Sequence, residues 1–466
     1  LDEAAMKKVL PPVSATADYP CWRNDGSGSG PASDHELVRD PSQARLLWKS
    51  EALIPAGYYE GSNIGKICDI QSGHASPVLA GGRLYLHYFV GDGPSFDAEK
   101  VERGVTANGK PDRVVRCPPA MWQKKFAERA DQIIVCIDAQ TGRTLWQTCF
   151  DEAGPNIAGW KTRVGPSSPN AKAASHLTPC VDDGRVFAKG TGGTLYALDA
   201  ATGDLLWQEP GFGLLTDTCI AADGVVATGS GSALIGLDAR TGERLWQIDN
   251  ATGSRVSHIR HRLDDRWVFI APRGQCIEAR SGRVLWQADP CSGVLAAGDG
   301  HMVSLETAGK VGILRCWRID QHGMELVWQH RTEPNRAKPR TITPVIWGGH
   351  VFARLPTPGC RNNRFTLGFE LASGRSIGQA SGTKSFSSPS GGDDRLFNGN
   401  AAVVLLQDVT PGSIADLAAD TGRQQKVADA ATSVVFLGAP ETTPIYADGR
   451  LYSRTFDGIV CYDLRR

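Results

Sequence analysis

LDAATGDLLWQ (198–208), LDARTGERLWQ (237–247) and IEARSGRVLWQ (277–287) are three copies of one phrase. IDAQTGRTLWQ (137–147) precedes them and a looser copy, IDQHGMELVWQ (319–329), follows. Trp207 to Trp246 is 39 residues, Trp246 to Trp286 is 40, and Trp286 to Trp328 is 42. A period near 40, with room for four short strands per copy, is that of a β-propeller blade.

The chemistry of the phrase supports this. An acidic residue followed by Thr-Gly is turn material: the carboxylate can accept nearby amides and the glycine can take a positive φ. Short apolar alternations flank the turn, so it joins the third and fourth strands of each blade. The Leu-Trp behind it sets one large aromatic per repeat where it can pack on the next blade and donate its indole N–H.

A second phrase opens each unit, as in ASPVLAGGRLYL (75–86), LTPCVDDGRVFA (177–188), ITPVIWGGHVFA (342–353), SSPSGGDDRLFN (387–398) and TTPIYADGRLYS (442–453). Each reads as two inner strands joined by a Gly/Asp turn, with proline tolerated because it begins the strand. Eight openings are counted, anchored at Pro77, Pro179, Cys219, His261, Leu295, Pro344, Pro389 and Pro444. The last unit ends at IVCYDLRR (459–466), before its own Leu-Trp, whereas ARLLWKSE (44–51) carries Trp48 near the other end. The expected fold is therefore all-β: an eight-bladed propeller over 44–466, with 44–51 as a clasp strand that completes the last blade and protects its edge. Trp48, Trp146, Trp207, Trp246, Trp286 and Trp328 are the expected docking residues. Residues 1–43 form an N-terminal extension, and 90–131 interrupt the first blade with a polar loop and a short helix over 120–132.

Composition sets bounds on function. The 466 residues carry 50 basic and 50 acidic side chains, so electrostatics give no case for a nucleic-acid partner. No apolar run approaches the ~20 residues of a membrane span. Twelve cysteines occur with no Cys-x-x-Cys and no adjacent pair, which excludes zinc ribbons and a vicinal disulfide. Cys136, Cys276 and Cys461 fall at one place in three blades and read as small buried hydrophobes. Cys21, Cys68 and Cys117, in the irregular parts, are the expected disulfide candidates.

Three residues before the anchors stand His74, His176, Thr216, His258, Ser292, Thr341, Phe386 and Glu441. Equivalent positions form a ring, here at one mouth of the channel. His74, His176, His258 and Glu441 are the candidate ligand-binding residues, since imidazole and carboxylate can bind a metal or small ligand near neutral pH. Hydration of the mouth is the simpler reading of the same set. One step inward, Ser76, Thr178, Thr218, Thr343, Ser388 and Thr443 repeat a hydroxyl. A hydroxyl repeated in six blades is expected to bond backbone where blades meet rather than to act as a nucleophile.

The Asp-x-x-Thr-Gly-x-x-Leu-Trp closers resemble the tryptophan-docking repeats of the PQQ-like eight-bladed propellers. That superfamily includes PQQ-dependent alcohol dehydrogenases and the BAM-complex lipoprotein. CWRNDGSGSGP (21–31), LLWKS (46–50) and GHASPVLAGGRLYL (73–86) are similar to a bacterial group of PQQ-like repeat proteins, and the resemblance spans about 20–466. It implies an exported protein, periplasmic or outer-membrane-associated, whose signal would precede Leu1. The enzymatic branch would need an adjacent Cys-Cys disulfide over the quinone, calcium held by Glu and Asn, and a catalytic Asp. The first is missing and the others map onto no matching motif. The expectation is a monomeric, non-catalytic binding or scaffold propeller without a resident cofactor, presenting rim loops or the channel mouth to a protein or glycan partner. The rival is a divergent PQQ-dependent oxidoreductase or metal-assisted hydrolase working at the mouth.

Overall fold

The computed structural model describes residues 18–30, 35–38, 43–54, 75–95, 127–155, 177–212, 218–252, 258–287, 294–332, 343–355, 365–381, 390–392, 395–400, 403–408, 436–437, 442–455 and 458–466. Among these residues the regular elements are all strands. After β1 (Arg45–Lys49), the first blade comprises β2 (Val78–Ala80), β3 (Arg83–Ser95), β4 (Ala127–Asp138) and β5 (Thr144–Pro155). The second holds β6 (Cys180–Asp182), β7 (Arg185–Lys189), β8 (Leu195–Asp199) and β9 (Leu205–Glu209). The third holds β10 (Ile220–Ala222), β11 (Val225–Ser230), β12 (Ala233–Asp238) and β13 (Arg244–Ile248). The fourth holds β14 (Ile259–Leu263), β15 (Arg266–Ile270), β16 (Gln275–Glu278) and β17 (Val284–Gln287). The fifth holds β18 (Val294–Gly298), β19 (His301–Ala308), β20 (Val311–Ile319) and β21 (Met324–Arg331). The sixth holds β22 (Val345–Trp347), β23 (His350–Leu355), β24 (Phe365–Glu370) and β25 (Ser376–Ser381). Next come β26 (Ser390–Gly392), β27 (Arg395–Asn400), β28 (Val403–Asp408) and β29 (Phe436–Leu437). The last sheet is β30 (Ile445–Ala447), β31 (Arg450–Arg454) and β32 (Ile459–Asp463), finished by β1.

Each sheet is a four-stranded antiparallel meander, and innermost strands of successive sheets pack side by side from β2 round to β30. The fold is an all-β propeller. Seven of the sheets are full blades with outer strands of four residues or more. For the β26–β29 sheet the described residues give only a two-residue outer strand, so the expectation of eight equivalent blades is corrected to seven full ones among the described residues. Two contacts complete the circuit. Thr443 N–H donates to Ser76 Oγ at 2.8 Å, from the last sheet to the first. β1 pairs antiparallel with β32 through Arg45–Asp463, Leu46–Tyr462, Trp48–Cys461 and Lys49–Val460.

The repeated phrase works as a lock between neighbours. Within the turn, Asp199 Oδ1 accepts the amides of Ala201 (2.8 Å) and Thr202 (2.9 Å), and Asp238 Oδ1 those of Arg240 (2.9 Å) and Thr241 (2.8 Å). These backbone donors hold both carboxyls below the usual range. The glycine that follows, Gly203 or Gly242, has φ near +80°. The preceding blade's tryptophan lies flat on it: a Cβ on Gly242 would sit 2.9 Å from Trp207, and one on Gly203 2.6 Å from Trp146. Gly282 meets Trp246 and Gly374 meets Trp328 in the same way. The indole N–H then donates to the carbonyl beside the acidic residue, Trp146 to Ala200 (3.1 Å), Trp207 to Ala239 (3.1 Å), Trp246 to Ala279 (3.0 Å) and Trp328 to Leu371 (2.7 Å). In the looser copy Trp286 donates to Asp320 O at 2.8 Å. Trp48 of the clasp meets Gly142 of the first blade, so the glycine contact of the lock, though not its indole N–H bond, is repeated at the ring's seam.

Opposite each tryptophan, on the third strand, the residue is small: Cys136, Ala197, Gly236, Cys276, Cys316 and Cys461. Cysteine there is a compact apolar side chain under an indole, as expected for Cys136, Cys276 and Cys461. The 120–132 helix is corrected in part. Ala127–Gln132 belong to β4, which with β3 and β5 extends well past the length of the other blades' strands, and 120–126 lie outside the described residues.

Candidate functional site

The channel's inner wall is made by the innermost strands, and its most informative occupant is the chain itself. Tyr19 pairs with Leu79 of β2 through both backbone bonds (2.7 and 2.9 Å). Pro20 O accepts from Val181 of β6 (2.7 Å), Gly26 O from Ala297 of β18 (3.0 Å) and Ser27 O from Ile346 of β22 (3.0 Å). His261 of β14 bonds Asp25 O through Nδ1 at 3.2 Å. Gly30 lies so close to Tyr446 of β30 that a Cβ would fall 2.1 Å from its carbonyl oxygen. Leu79, Val181, Ala297, Ile346 and Tyr446 each stand second from the end of their innermost strand. Residues 18–30 are therefore a hoop that follows the inner wall at one level, meeting the blades in sequence order.

Side chains fix the hoop. Arg23 is fully buried and its guanidinium reaches Pro344 O and Ser27 O. Gly28, at φ +77°, sits where any Cβ would collide with that guanidinium. Asp25 Oδ1 accepts Ser27 N–H (3.0 Å) and Ser27 Oγ–H (2.6 Å), closing a tight turn. Arg260 donates to Ala221 O of β10 at 3.0 Å and lies over Trp267. Residues 21–30 of the N-terminal extension, Gly/Ser-rich at 26–30, are thus largely packed against the channel wall.

At the opposite level, a second set of bonds joins neighbours. The fifth residue of the second strand is His87 in β3, Lys189 in β7 and Arg454 in β31, all buried. Arg454 donates to Ala75 O (2.8 Å), His87 bonds Leu177 O (3.3 Å), and Lys189 donates to Gly229 O (2.9 Å), each in the next blade. Burial pushes the His87 imidazole down to about 4 and the Arg454 guanidinium down to about 9. Two of the repeated hydroxyls bond backbone where blades meet: Ser76 N–H donates to Thr178 Oγ1 at 3.0 Å, and Thr443 N–H to Ser76 Oγ at 2.8 Å, whereas Thr218 Oγ1 is buried without a partner and Ser388 lies outside the described residues.

Of the four candidate ligand residues, His74, His176 and Glu441 lie outside the described residues. His258 is fully buried, its Nε2 bonds Ala251 O at 3.0 Å, and burial lowers its imidazole to about 4. Its hairpin register explains why. Leu263 pairs with Arg266 as Ala80 does with Arg83, so the fourth anchor is Arg260 rather than His261. His258 then falls one residue off the ring, on the other side of the strand. Among the described residues, one trio of donor groups converges: Asp131, Cys149 and Asp151 on the projecting parts of β4 and β5, with donor atoms within 4.8 Å. Cys149 Sγ donates to Asp151 Oδ1 at 3.0 Å, and desolvation with that bond pushes the thiol up to about 12.

A search of curated proteins finds no match. Among solved structures, the chain resembles a europium-containing methanol dehydrogenase at 11% identity over 95% of this chain and 91% of the other, with a TM-score of 0.52. It resembles the computationally designed Ika8 protein at 12% identity over 89% and 99%, TM-score 0.51. BamB from Moraxella catarrhalis matches at 16% identity over 71% and 88%, TM-score 0.49. At such identities these are likenesses of fold. The family model described as outer membrane protein assembly factor BamB matches residues 130–264 and 238–393, together more than half of the chain. With its tryptophan locks and propeller sheets, the chain belongs to the PQQ-like β-propeller family that this model represents.

Proposed function

We propose that the protein is a non-catalytic binding propeller that works outside the cytoplasm as a monomer, presenting rim loops and one channel mouth to a protein or glycan partner. The observation that carries this reading is the hoop. Amides of the inner wall that could bind a small molecule at that level are engaged by the chain's own residues 19–27. A family model named for an assembly factor supports a protein as the partner and an exported location. The β26–β29 sheet is read as the eighth blade of the ring.

The PQQ and calcium of the enzymatic branch do not fit the residues present. No two cysteines are adjacent in the sequence. Among the described residues, the trio that could offer metal donors, Asp131, Cys149 and Asp151, sits on the first blade's projecting strands rather than on an innermost strand. We therefore derive no chemistry through a quinone. The test is direct: purified protein incubated with PQQ and Ca²⁺ is expected to show no alcohol-dependent dye reduction above background. Turnover with any primary alcohol or sugar would overturn the reading in favour of a divergent oxidoreductase. Hydrolysis of a phosphate or peptide ester that depends on added Zn²⁺ would overturn it in favour of a metal-assisted hydrolase.

A further inference from the structure

Near the axis, neighbouring blades come closer than they do anywhere else, and two cysteines exploit this. Cys180 begins β6, and Cys219 immediately precedes β10, the innermost strand of the next blade. Both are buried, and their sulfurs are 3.6 Å apart although 39 residues separate them in sequence. Cys219 Sγ also donates to Phe187 O at 3.3 Å, which fixes its rotamer towards the second blade. A third cysteine, Cys21 of the hoop, shares the same apolar cluster with Phe187 and Phe212. Its thiol is turned into its own loop, donating to Asn24 O at 2.7 Å. The two facing thiols need about 1.5 Å of closure to reach the 2.03–2.05 Å of a disulfide, within reach of small side-chain rotations.

We propose that Cys180 and Cys219 are an oxidation site: a dithiol that closes into an inter-blade disulfide when the chain folds in the presence of a disulfide oxidant. The thiolate of one cysteine attacks the oxidant's S–S bond and releases one thiol. The second cysteine, deprotonated, then attacks the mixed disulfide, forming Cys180–Cys219 and releasing the other oxidant half as a thiol. Two cysteine thiols are oxidised and one small disulfide is reduced to two thiols. The bond ties the second and third blades together beside the hoop, adding a covalent link to the Trp207–Ala239 and Lys189–Gly229 bonds that already join them.

The full chain, reduced and unfolded, is refolded with oxidised glutathione, blocked with an alkylating agent and digested with trypsin. The expected product is a linked pair of peptides, 173–185 carrying Cys180 and 190–240 carrying Cys219, two mass units lighter than their sum. The melting midpoint of the oxidised chain is expected to rise by a few degrees and to return with dithiothreitol. That rise is expected to vanish in Cys180→Ser and in Cys219→Ser. Recovery of Cys180 and Cys219 as alkylated free thiols, or a link from either to Cys21, overturns the proposal. The peptide readout is made on the parent chain, so a variant that fails to fold leaves the answer intact.

Discussion

Alanine at Gly242 tests the tryptophan lock against a matched control. Gly242 has φ +80°, and an added Cβ would lie 2.9 Å from two ring atoms of Trp207. Gly184, in the β6–β7 turn, has φ +70° with nothing within 4 Å of the same added atom. Both substitutions force alanine into the left-handed region, at about 1–2 kcal/mol. Gly242→Ala adds the displacement of an indole held by a 3.1 Å bond to Ala239 O, an overpacking cost of about 1–3 kcal/mol. Gly184→Ala is therefore expected to lose about 1–2 kcal/mol and Gly242→Ala about 2–5 kcal/mol. Urea unfolding followed by circular dichroism measures both. In a Trp207→Ala background the extra cost of Gly242→Ala is expected to disappear, because the atom it collides with is gone. Equal losses in the two single variants, or an unchanged difference without Trp207, would refute the lock and leave backbone strain as the whole role of the glycine.

Deleting residues 1–51 removes β1 and exposes the edge of β32, so the truncated chain is expected to aggregate or lose cooperative unfolding; a parent-like melt would place ring closure elsewhere. Deleting 1–30 removes the hoop but leaves β1, and amide exchange at Leu79, Val181, Ala297 and Ile346 is expected to accelerate while the β1–β32 amides stay protected. His87 and His258 are buried with imidazoles lowered to about 4 from an ordinary 6.5. The unfolded chain binds the extra protons, so stability is expected to be full above about pH 6.5. It then falls as pH drops towards 4, by about 1.4 kcal/mol per pH unit for each histidine. His258→Asn should flatten that slope; the same slope in the variant would show that other groups set it.

Much of the fold was legible because its decisive contacts repeat. One acidic turn, one glycine and one tryptophan per blade make a periodic signal, and the structure uses each for the purpose its chemistry suggests. The hoop gave no such signal. Each of its bonds joins a different hoop residue to a different blade, up to hundreds of residues away, and Gly-Ser-Gly-Ser-Gly composition is that of a loop. The fourth blade misled differently. It replaces Ser/Thr-Pro with Ile259–Arg260, so the anchor slipped by one residue, and in a strand one residue changes the face. Cys180 and Cys219 give no motif in the sequence, because what brings them together is the side-by-side packing of innermost strands from neighbouring blades.

The hoop also makes the propeller's size self-consistent. Residues 18–30 touch the wall one blade at a time, in register, and come to Tyr446 only after passing the blades between. Their length is thus a gauge of circumference. A ring enlarged by duplicating a blade would have a longer inner perimeter than this segment can follow, and Gly30 would fall short of its seat. Any change in blade count must be matched by insertion or deletion within 18–30, which couples a dozen residues near the start of the chain to the number of repeats that follow.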